Sequence, residues 1–314
     1  RAKLSLEYGL HDTLKSELEL VASEQEKRDD GLELADAWLR WQSVESPWRV
    51  TVGRMKEPMG HERLMGVSRL PLIERSMVSS AFAPGRQVGL SVNVKFANST
   101  ITSGVFQADP EEQQVGQDST LAWTSRFTHG WKMGINQSVF HIGGAVSLRD
   151  LRDTLFQLEE RGEVNSADNI IQSARFYADR QVTSQLEVGY QVSRLWFMAE
   201  YFASEVSASD GDSWQYDGFY LQMVYGNRYK YKNGRFKGRS KITGLWEGVI
   251  RYSGLNLRDH NLGTEAGSFI LGVNYYASQN WTIMLNHLRP TLSGNVVNSD
   301  LTGNATSARV KFRF

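Results

Sequence analysis

Apolar and polar residues alternate one by one along much of this 314-residue chain. Near the start, Leu4, Leu6 and Tyr8 alternate with polar or charged neighbours, and near the end Val310 and Phe312 do the same. A period of two sustained over seven or so residues predicts β-strands that each carry one apolar face. No apolar run approaches the roughly 18 residues of a membrane helix. The pattern therefore predicts an all-β fold.

The alternation predicts fifteen strands. They span 1–9, 13–22, 32–42, 47–54, 86–95, 99–107, 119–128, 137–147, 183–191, 194–203, 214–226, 243–253, 267–276, 280–288 and 305–314. Several have the roughly 9–11 residues that a tilted strand needs to cross a bilayer. The exception to the alternation is a leucine spacing at 148, 151, 155 and 158, which predicts a short helix inside a long loop.

The connections between the predicted strands fall into two length classes. Short turns lie at 43–46, 96–98, 192–193 and 277–279, and long polar loops lie at 23–31, 55–85, 108–118, 148–182, 204–213, 254–266 and 289–304. Short turns on one side and long loops on the other are the plan of a bacterial outer-membrane barrel. A soluble β-sandwich would alternate too, but it would not need aromatic residues at strand ends. Such residues are Tyr8, Trp48, Tyr252, Tyr275, Trp281 and the terminal Phe314.

Strand parity predicts one further strand. If the last strand descends to the periplasm, the first strand of this sequence also descends, which gives a count of fifteen. Bacterial single-chain barrels have even strand counts. We therefore expect an ascending strand upstream of Arg1. The predicted fold is a transmembrane antiparallel up-and-down β-barrel of sixteen strands, in which 1–314 form a single domain.

Composition excludes several classes of protein. The 35 basic residues equal the 35 acidic ones, which argues against a general nucleic-acid binder. Cysteine is absent, so disulfide scaffolds and cysteine-based zinc sites are excluded. The motifs G-x-S-x-G, G-x-x-x-x-G-K-[ST] and H-E-x-x-H do not occur. We therefore expect neither an enzyme nor a bound cofactor or metal.

Several motifs resemble those of the phosphate-selective porin O/P family of bacterial outer-membrane porins. The segment G-R-M-K-E-P-M-G at 53–60 is similar to the family's G-Q-F-K-x-P-F-G, and E-R-S at 74–76 with A-F-A-P-G-R-Q-V-G at 81–89 resembles its E-R-(S/A)…A-F-A-P-x-R-x-x-G. W-E with R-Y-S at 246–253 and L-G-V-N-Y-Y at 271–276 resemble two of its C-terminal strands. The start at Arg1 looks like its second strand. The resemblance implies a sixteen-stranded trimeric channel whose inward-folded loops narrow the pore and whose basic residues guide anions.

The residues themselves point to the same parts. A barrel of sixteen strands leaves an aqueous lumen that wall side chains do not fill, so selectivity requires a loop that folds inward. Loop 55–85 is the best candidate because it carries apolar residues that need a wall to pack against. They are Leu64, Met65, Leu70, Leu72, Ile73 and Phe82.

Basic residues in and beside the loops form the predicted anion pathway. Guanidinium groups match phosphate oxygens and stay charged, and rings of Arg and Lys favour anion passage. The candidates are Lys56, Arg63, Arg69, Arg75 and Arg86 around loop 55–85, and Arg175 and Arg180 in loop 148–182. Lys56 and Arg63 are the strongest of these. Arg75 adjoins Glu74 and is equally suited to pinning the loop to the barrel wall.

The turn 227–242 is the second basic element. It carries Arg228, Lys230, Lys232, Arg235, Lys237, Arg239 and Lys241, and no acid. By parity this turn is periplasmic, and the matching turn of the resembled family folds up into the pore. We expect it to concentrate anions at the inner mouth. The alternatives are a solvated charge run or a contact with a periplasmic partner.

The lumen wall is predicted to carry charges of both signs. Its basic candidates are Arg1, Lys3, Arg49, Arg126, Arg251, Arg309, Lys311 and Arg313. Arg1 and Lys3 would approach Arg309, Lys311 and Arg313 at the barrel seam, and acids on other walls would set up a transverse field. The sequence therefore predicts an outer-membrane porin with anion preference, with phosphate as one hypothesis for the solute. Lipid and lipopolysaccharide contacts and a homotrimer are expected. The alternatives are a plugged structural barrel in a larger complex and a non-selective porin.

Overall fold

A computed structural model describes residues 2–22, 32–43, 45–108, 120–134, 138–164, 168–226, 229–238, 242–294 and 303–313. Within these ranges the chain forms nineteen strands, two short α-helices and one 3₁₀ turn. In chain order they are β1 Ala2–His11, β2 Leu14–Ala22, β3 Leu32–Gln42, β4 Trp48–Lys56, α1 His61–Leu64, the 3₁₀ turn Val67–Arg69, α2 Met77–Phe82, β5 Arg86–Phe96, β6 Ser99–Ala108, β7 Thr120–Lys132, β8 Val139–Phe156, β9 Glu159–Glu160, β10 Ile171–Gln172, β11 Phe176–Val192, β12 Leu195–Ala208, β13 Ser213–Tyr225, β14 Tyr229–Tyr231, β15 Phe236–Gly238, β16 Leu245–Asn256, β17 Thr264–Tyr276, β18 Trp281–Gly294 and β19 Ala305–Phe312.

One large antiparallel sheet contains fifteen of these strands. They are hydrogen-bonded in chain order from β1 to β19, and only the two small hairpins β9–β10 and β14–β15 stand outside it. Every strand of the sheet pairs with its neighbours in sequence, which is an up-and-down arrangement. The fifteen strands predicted from the alternation are thereby confirmed. The sixteenth strand, expected upstream of Arg1, stays a prediction.

The two faces of the sheet have opposite chemistry. On β11, Gln185 and Glu187 are buried, whereas Leu186 is 64% and Val188 47% exposed. Aromatic residues such as Trp48 and Trp281 are also exposed on the outer face. An apolar outside and a polar inside are the reverse of a soluble protein and fit a barrel wall that faces lipid. By the rule for such barrels, the short turns are periplasmic and the long loops extracellular.

The helix predicted around Leu148–Leu158 is wrong, because β8 continues through this region to Phe156. Arg152 and Asp153 adopt left-handed backbone conformations, with φ of 49° and 61°. The pairing with β11 slips at this point, so Asp150 lies opposite Arg180 and Thr154 opposite Ala178. The irregularity shifts the inward face of the strand, and this produces a leucine spacing of three and four without a helix.

The long loop predicted at 204–213 is also wrong. β12 runs to Ala208 and β13 begins at Ser213, so only four residues connect them. With 14 and 13 residues, both strands are longer than the roughly 9–11 residues that a tilted strand needs to cross a bilayer. No helix of the described residues is long and apolar enough to cross a membrane.

Two chain segments lie inside the curved sheet. The first is the connection 57–85 between β4 and β5, which we call the inner loop. It reaches the last strand, where Arg309 Nη1 donates to Ile73 O at 2.6 Å and Lys311 Nζ to Ser68 O at 3.1 Å. The second is the β14–β15 hairpin in the connection between β13 and β16, which we call the basic hairpin. Its Asn233 accepts from Lys95 Nζ of β5 at 3.3 Å.

Candidate functional site

The inner loop packs on one side of the barrel through apolar side chains. Met59, Leu70, Leu72, Val78 and Phe82 are all 4% exposed or less. Phe82 stacks on Phe202 of β12, with ring centroids 6.2 Å apart. The apolar residues that identify this loop in the sequence therefore pack against the inner wall and hold the loop there.

Glycines on the inner wall make room for the loop. A Cβ atom on Gly218 of β13 would lie 2.7 Å from Val78 Cγ2, and one on Gly272 of β17 would lie 2.6 Å from Leu72 Cδ2. Both contacts are too short for a real side chain. Even alanine at either position would force the facing Val78 or Leu72 side chain to move.

A buried arginine anchors the inner loop to β16. The Arg251 guanidinium is fully buried and pairs with Glu62 of α1. It also donates to Gln222 Oε1 through Nε at 3.1 Å and Nη2 at 2.7 Å, and lies 3.7 Å from Glu163. A buried charge is tolerated only when it is paired and hydrogen-bonded. Arg251 meets that condition by tying the loop and the 157–175 connection to the wall.

A buried carboxylate holds the start of α1. Glu200 of β12 accepts hydrogen bonds from the backbone N–H groups of His61, at 2.6 Å, and Glu62, at 2.9 Å. The Tyr220 hydroxyl donates to the same carboxylate at 2.6 Å, and Gln185 Nε2 donates at 2.9 Å. These contacts satisfy free N–H groups at the first turn of the helix.

The basic hairpin meets the inner loop in the middle of the lumen. The Phe236 N–H donates to His61 Nε2 at 3.1 Å, and Arg235 Nη1 donates to Leu64 O at 3.3 Å. Burial lowers the pKa of His61 to about 3, so its imidazole is neutral and its Nε2 is free to accept. The extracellular loop and the periplasmic turn therefore narrow the lumen together.

A histidine bridge fixes the other side of the hairpin. His141 of β8 lies between the Tyr231 hydroxyl, 2.9 Å from Nδ1, and Glu187 Oε1, 2.8 Å from Nε2. Arg126 of β7 pairs with the same Glu187 carboxylate. These groups hold the hairpin against β7, β8 and β11.

Four of the predicted pathway cations meet at the base of the inner loop. Lys56 Nζ donates to Arg63 O at 2.7 Å and to Met65 O at 3.2 Å, and Arg75 Nη2 donates to Met65 O at 2.9 Å. Arg86 pairs with Glu19 and Asp36, both at 2.9 Å. Lys56 and Arg75 thus bind the loop's own backbone, and burial lowers the pKa of Arg75 to about 10.

A second group of cations gathers nearer the periplasmic side. Arg235 lies within the electrostatic influence of Arg69, Arg49 and Arg40, which come from the inner loop, β4 and β3. Burial, together with the positive charges of Arg235, Arg69, Lys232 and Arg49, lowers the pKa of Lys237 to about 8. We call Arg40, Arg49, Arg69, Arg235 and Lys237 the basic cluster. All five side chains are half-buried or exposed.

Acids accompany the basic cluster on the wall of β1–β3. Arg40 lies in the field of Glu17, Glu7 and Asp36. On the same wall, Lys3 Nζ lies 2.5 Å from Glu19 Oε2. The lumen therefore presents both signs of charge, and on this wall acids and bases lie on the same strands, as Asp36 and Arg40 do on β3.

The remaining predicted residues are distributed as follows. Arg126 and Arg251 are buried in ion pairs, and Arg309 pairs with Glu74 at 2.6 Å. Lys230, Lys232 and Arg313 are exposed. Arg175 lines an extracellular cavity. Arg180 lies opposite Asp150 and alternates with the buried Gln181, so it lies on the outer face of β11. Arg1, Arg228, Arg239 and Lys241 lie outside the described residues.

Comparison with known proteins agrees with this architecture. The family model described as phosphate-selective porin O and P matches residues 1–314. The chain belongs to this family. A relative from Caulobacter vibrioides, described only as an uncharacterized protein, is 22% identical over 271 residues, and these cover 82% of the chain and 54% of the relative. The chain thus spans about half the length of the curated relative that it matches.

Solved structures with the same fold are outer-membrane proteins. OprB of Pseudomonas putida has a TM-score of 0.62 at 12% identity, covering 98% of this chain and 86% of OprB. The anion-selective porin of Comamonas acidovorans has a TM-score of 0.55 at 11% identity, with coverages of 99% and 88%. A trimer form of OmpT from Vibrio cholerae has a TM-score of 0.56 at 11% identity, with coverages of 98% and 86%. This member of the porin family is accordingly a β-barrel protein of the outer membrane.

Sequence reasoning missed the acids that hold the inner loop of this porin. Glu57 pairs with Arg149 at 2.6 Å, and Glu62 pairs with Arg251. His61 belongs to no recognisable motif in the sequence, so its position between the loop and the hairpin could not be predicted. The available signal was the coincidence of loop acids with inward-facing wall arginines.

Proposed function

We propose that this protein is a passive diffusion channel for small hydrophilic solutes, with a preference for anions. The basic cluster carries the proposal. Its five residues come from four separate segments of the chain. Arg235 lies in the field of Arg40, Arg49 and Arg69, and Lys237 lies in the field of Arg235, Arg69 and Arg49. Bringing like charges together costs free energy, and a passing anion recovers part of that cost.

The acids near the basic cluster favour a preference for anions over strict anion selectivity. Glu7, Glu17 and Asp36 lie close enough to affect Arg40, and the chain as a whole has 35 basic and 35 acidic residues. Spaced cations of moderate strength also release an ion more readily than one tight pocket would. Phosphate remains a candidate solute because guanidinium groups match its oxygens in a bidentate geometry.

A homotrimer in contact with lipid and lipopolysaccharide is part of the proposal. The exposed outer face, with residues such as Leu186 and Val188, requires an apolar environment. The trimer form of OmpT has the same fold, which supports this oligomeric state here. We also propose that the basic hairpin contacts a periplasmic partner through Lys230 and Lys232, which are exposed.

A plugged structural barrel is the second candidate. The inner loop and the basic hairpin are joined across the lumen by the contacts of His61 with Phe236 and of Arg235 with Leu64. This favours an obstructed lumen. A non-selective porin, the other alternative that the sequence leaves open, is the third candidate.

Single-channel recording separates the three. The purified protein in a planar bilayer should conduct in KCl, and phosphate added stepwise should block the chloride current. Neutralising Arg235 and Lys237 together should weaken that block. Conduction without phosphate block would favour a general porin, and no conduction at all would favour the plugged barrel.

A further inference from the structure

A polar cavity of about 340 Å³ opens at the extracellular end of the barrel. Its walls are the C-terminal part of the inner loop, the ends of β8 and β11, and the connection between them. The volume lies at the lower end of the roughly 300–1,000 Å³ typical of small-molecule sites. It is separate from the basic cluster, and none of the five cluster residues lines it.

The charges of the cavity leave a single positive charge in excess. Arg63, Arg149 and Arg175 line it together with one acid, Glu159. Arg149 is compensated by Glu57, 2.6 Å away and buried behind it. Three guanidinium groups and two carboxylates thus favour an anion that carries one negative charge. Phosphate at neutral pH carries between one and two and is less well matched.

Arg63 and Arg175 line the cavity from different elements. Arg63 belongs to α1, and its Nε donates to Pro84 O at 3.1 Å, which fixes the direction of the side chain. Arg175 is exposed at the start of β11, and within the ranges that the structure describes it forms no ion pair. One arginine is therefore held in place and the other is free to close on a bound carboxylate.

Neutral hydrogen-bonding side chains outnumber the charged ones in this cavity. Gln87, Gln157, Gln181 and Thr183 line it beside Ser80, Ser147 and Asn169. Amides and hydroxyls of this kind both donate and accept, which suits alcohol groups. Phe82, Pro84 and Leu158 add apolar surface to the same lining. A carbon chain that carries hydroxyl groups presents the same combination of C–H and O–H surfaces.

We propose that this cavity binds polyhydroxylated monocarboxylates, that is, sugar acids, as they enter the channel. The carboxylate binds between Arg63 and Arg175, and the hydroxyl groups contact the glutamine side. The proposal rests on the proposed channel function and adds to it a solute class and an entry site.

Blocking measurements with four probes test the proposal. Potassium gluconate, added to the extracellular side of a bilayer containing the protein, should reduce the chloride current. Sorbitol lacks the carboxylate, acetate lacks the hydroxyl groups, and phosphate differs in charge. Gluconate should reach half-block at a concentration about ten-fold or more below each of the other three, because a hydrogen bond to a charged group is worth about a factor of ten.

Two arginine variants and a matched control locate the site. Arg63→Gln and Arg175→Gln should each raise the half-blocking gluconate concentration roughly ten-fold. Arg180→Gln removes the same charge from the same end of the barrel but on the outer face, and should leave the block unchanged. Gln157→Ala should weaken gluconate and leave acetate unaffected, which tests the hydroxyl contacts separately from the carboxylate contacts.

The outcomes separate this inference from the channel proposal. A channel that conducts but shows equal block by gluconate, acetate and sorbitol overturns the inference alone. Phosphate block as tight as gluconate block overturns the match to a single negative charge. If the protein does not conduct, the channel proposal fails. Calorimetric titration of gluconate into the detergent-solubilised protein and into Arg175→Gln then decides whether the cavity binds the acid.

Discussion

The buried Arg251 offers the sharpest test of how the inner loop is held. Its guanidinium is 0% exposed, and it contacts Glu62 and Gln222 closely and Glu163 at 3.7 Å. Arg251→Met keeps most of the volume but leaves two buried carboxylates without their cation. Burial already raises the pKa of Glu163, which shows how poorly this site tolerates a bare negative charge. Breaking a buried pair of this kind costs about 3–5 kcal/mol.

Urea unfolding in lipid vesicles, followed by tryptophan fluorescence, measures the change in the free energy of unfolding. The control is Arg180→Met on the outer face, which should change it by less than about 0.5 kcal/mol. The double variant Arg251→Met with Glu62→Gln should recover part of the loss, because one of the stranded charges is gone. A loss below about 1 kcal/mol for Arg251→Met, with unchanged single-channel conductance, would refute the anchoring role.

Three further predictions concern the pore and the wall. Arg235→Gln with Lys237→Gln should lower the anion-to-cation permeability ratio by roughly three- to ten-fold; an unchanged reversal potential would contradict it. Burial raises the pKa of Glu160 to about 7, and Arg63 lies in its field. Gluconate block should therefore weaken as pH rises from 6 to 8, because Glu160 gains a negative charge, and a block that strengthens would contradict this. Gly272→Val should displace Leu72, destabilise the barrel by about 1–3 kcal/mol and broaden the conductance distribution, whereas wild-type unfolding and conductance would argue against close packing there.

The wall of the barrel could be predicted from sequence because alternation is a local property. Leu186 and Glu187 are neighbours in sequence and lie on opposite faces of β11, and this single rule gives all fifteen strands. The rule failed at Arg152 and Asp153, where left-handed residues shift the inward face. A bulge changes only the spacing of apolar residues along the strand. A helix produces a similar spacing, so the two cannot be distinguished from the sequence here.

The partners of the charged residues could not be predicted, because they are set by contacts between distant segments. Arg251 and Glu62 are 189 residues apart in the chain. Both were visible as charges, but nothing in the sequence distinguishes a wall arginine that faces water from one covered by a folded loop. Inward-facing glycines such as Gly218 and Gly272 lie where the inner loop packs against the wall, but a glycine in a strand does not by itself identify its partner.

Four of the five residues of the basic cluster could be predicted from the sequence, but their proximity could not. The sequence predicts pore-facing roles for Arg49, Arg69, Arg235 and Lys237 because they are basic and lie in the expected loops or wall positions. That they share one field follows only from the inner loop and the basic hairpin meeting through His61 and Phe236.

The reversal potential under a ten-fold KCl gradient tests the central claim most directly. The protein is reconstituted in a planar bilayer and the zero-current voltage is recorded at neutral pH. The basic cluster predicts a sign that corresponds to chloride carrying most of the current. A voltage at zero, or with the sign of a potassium-selective pore, would contradict the assignment of the lumen as an anion pathway.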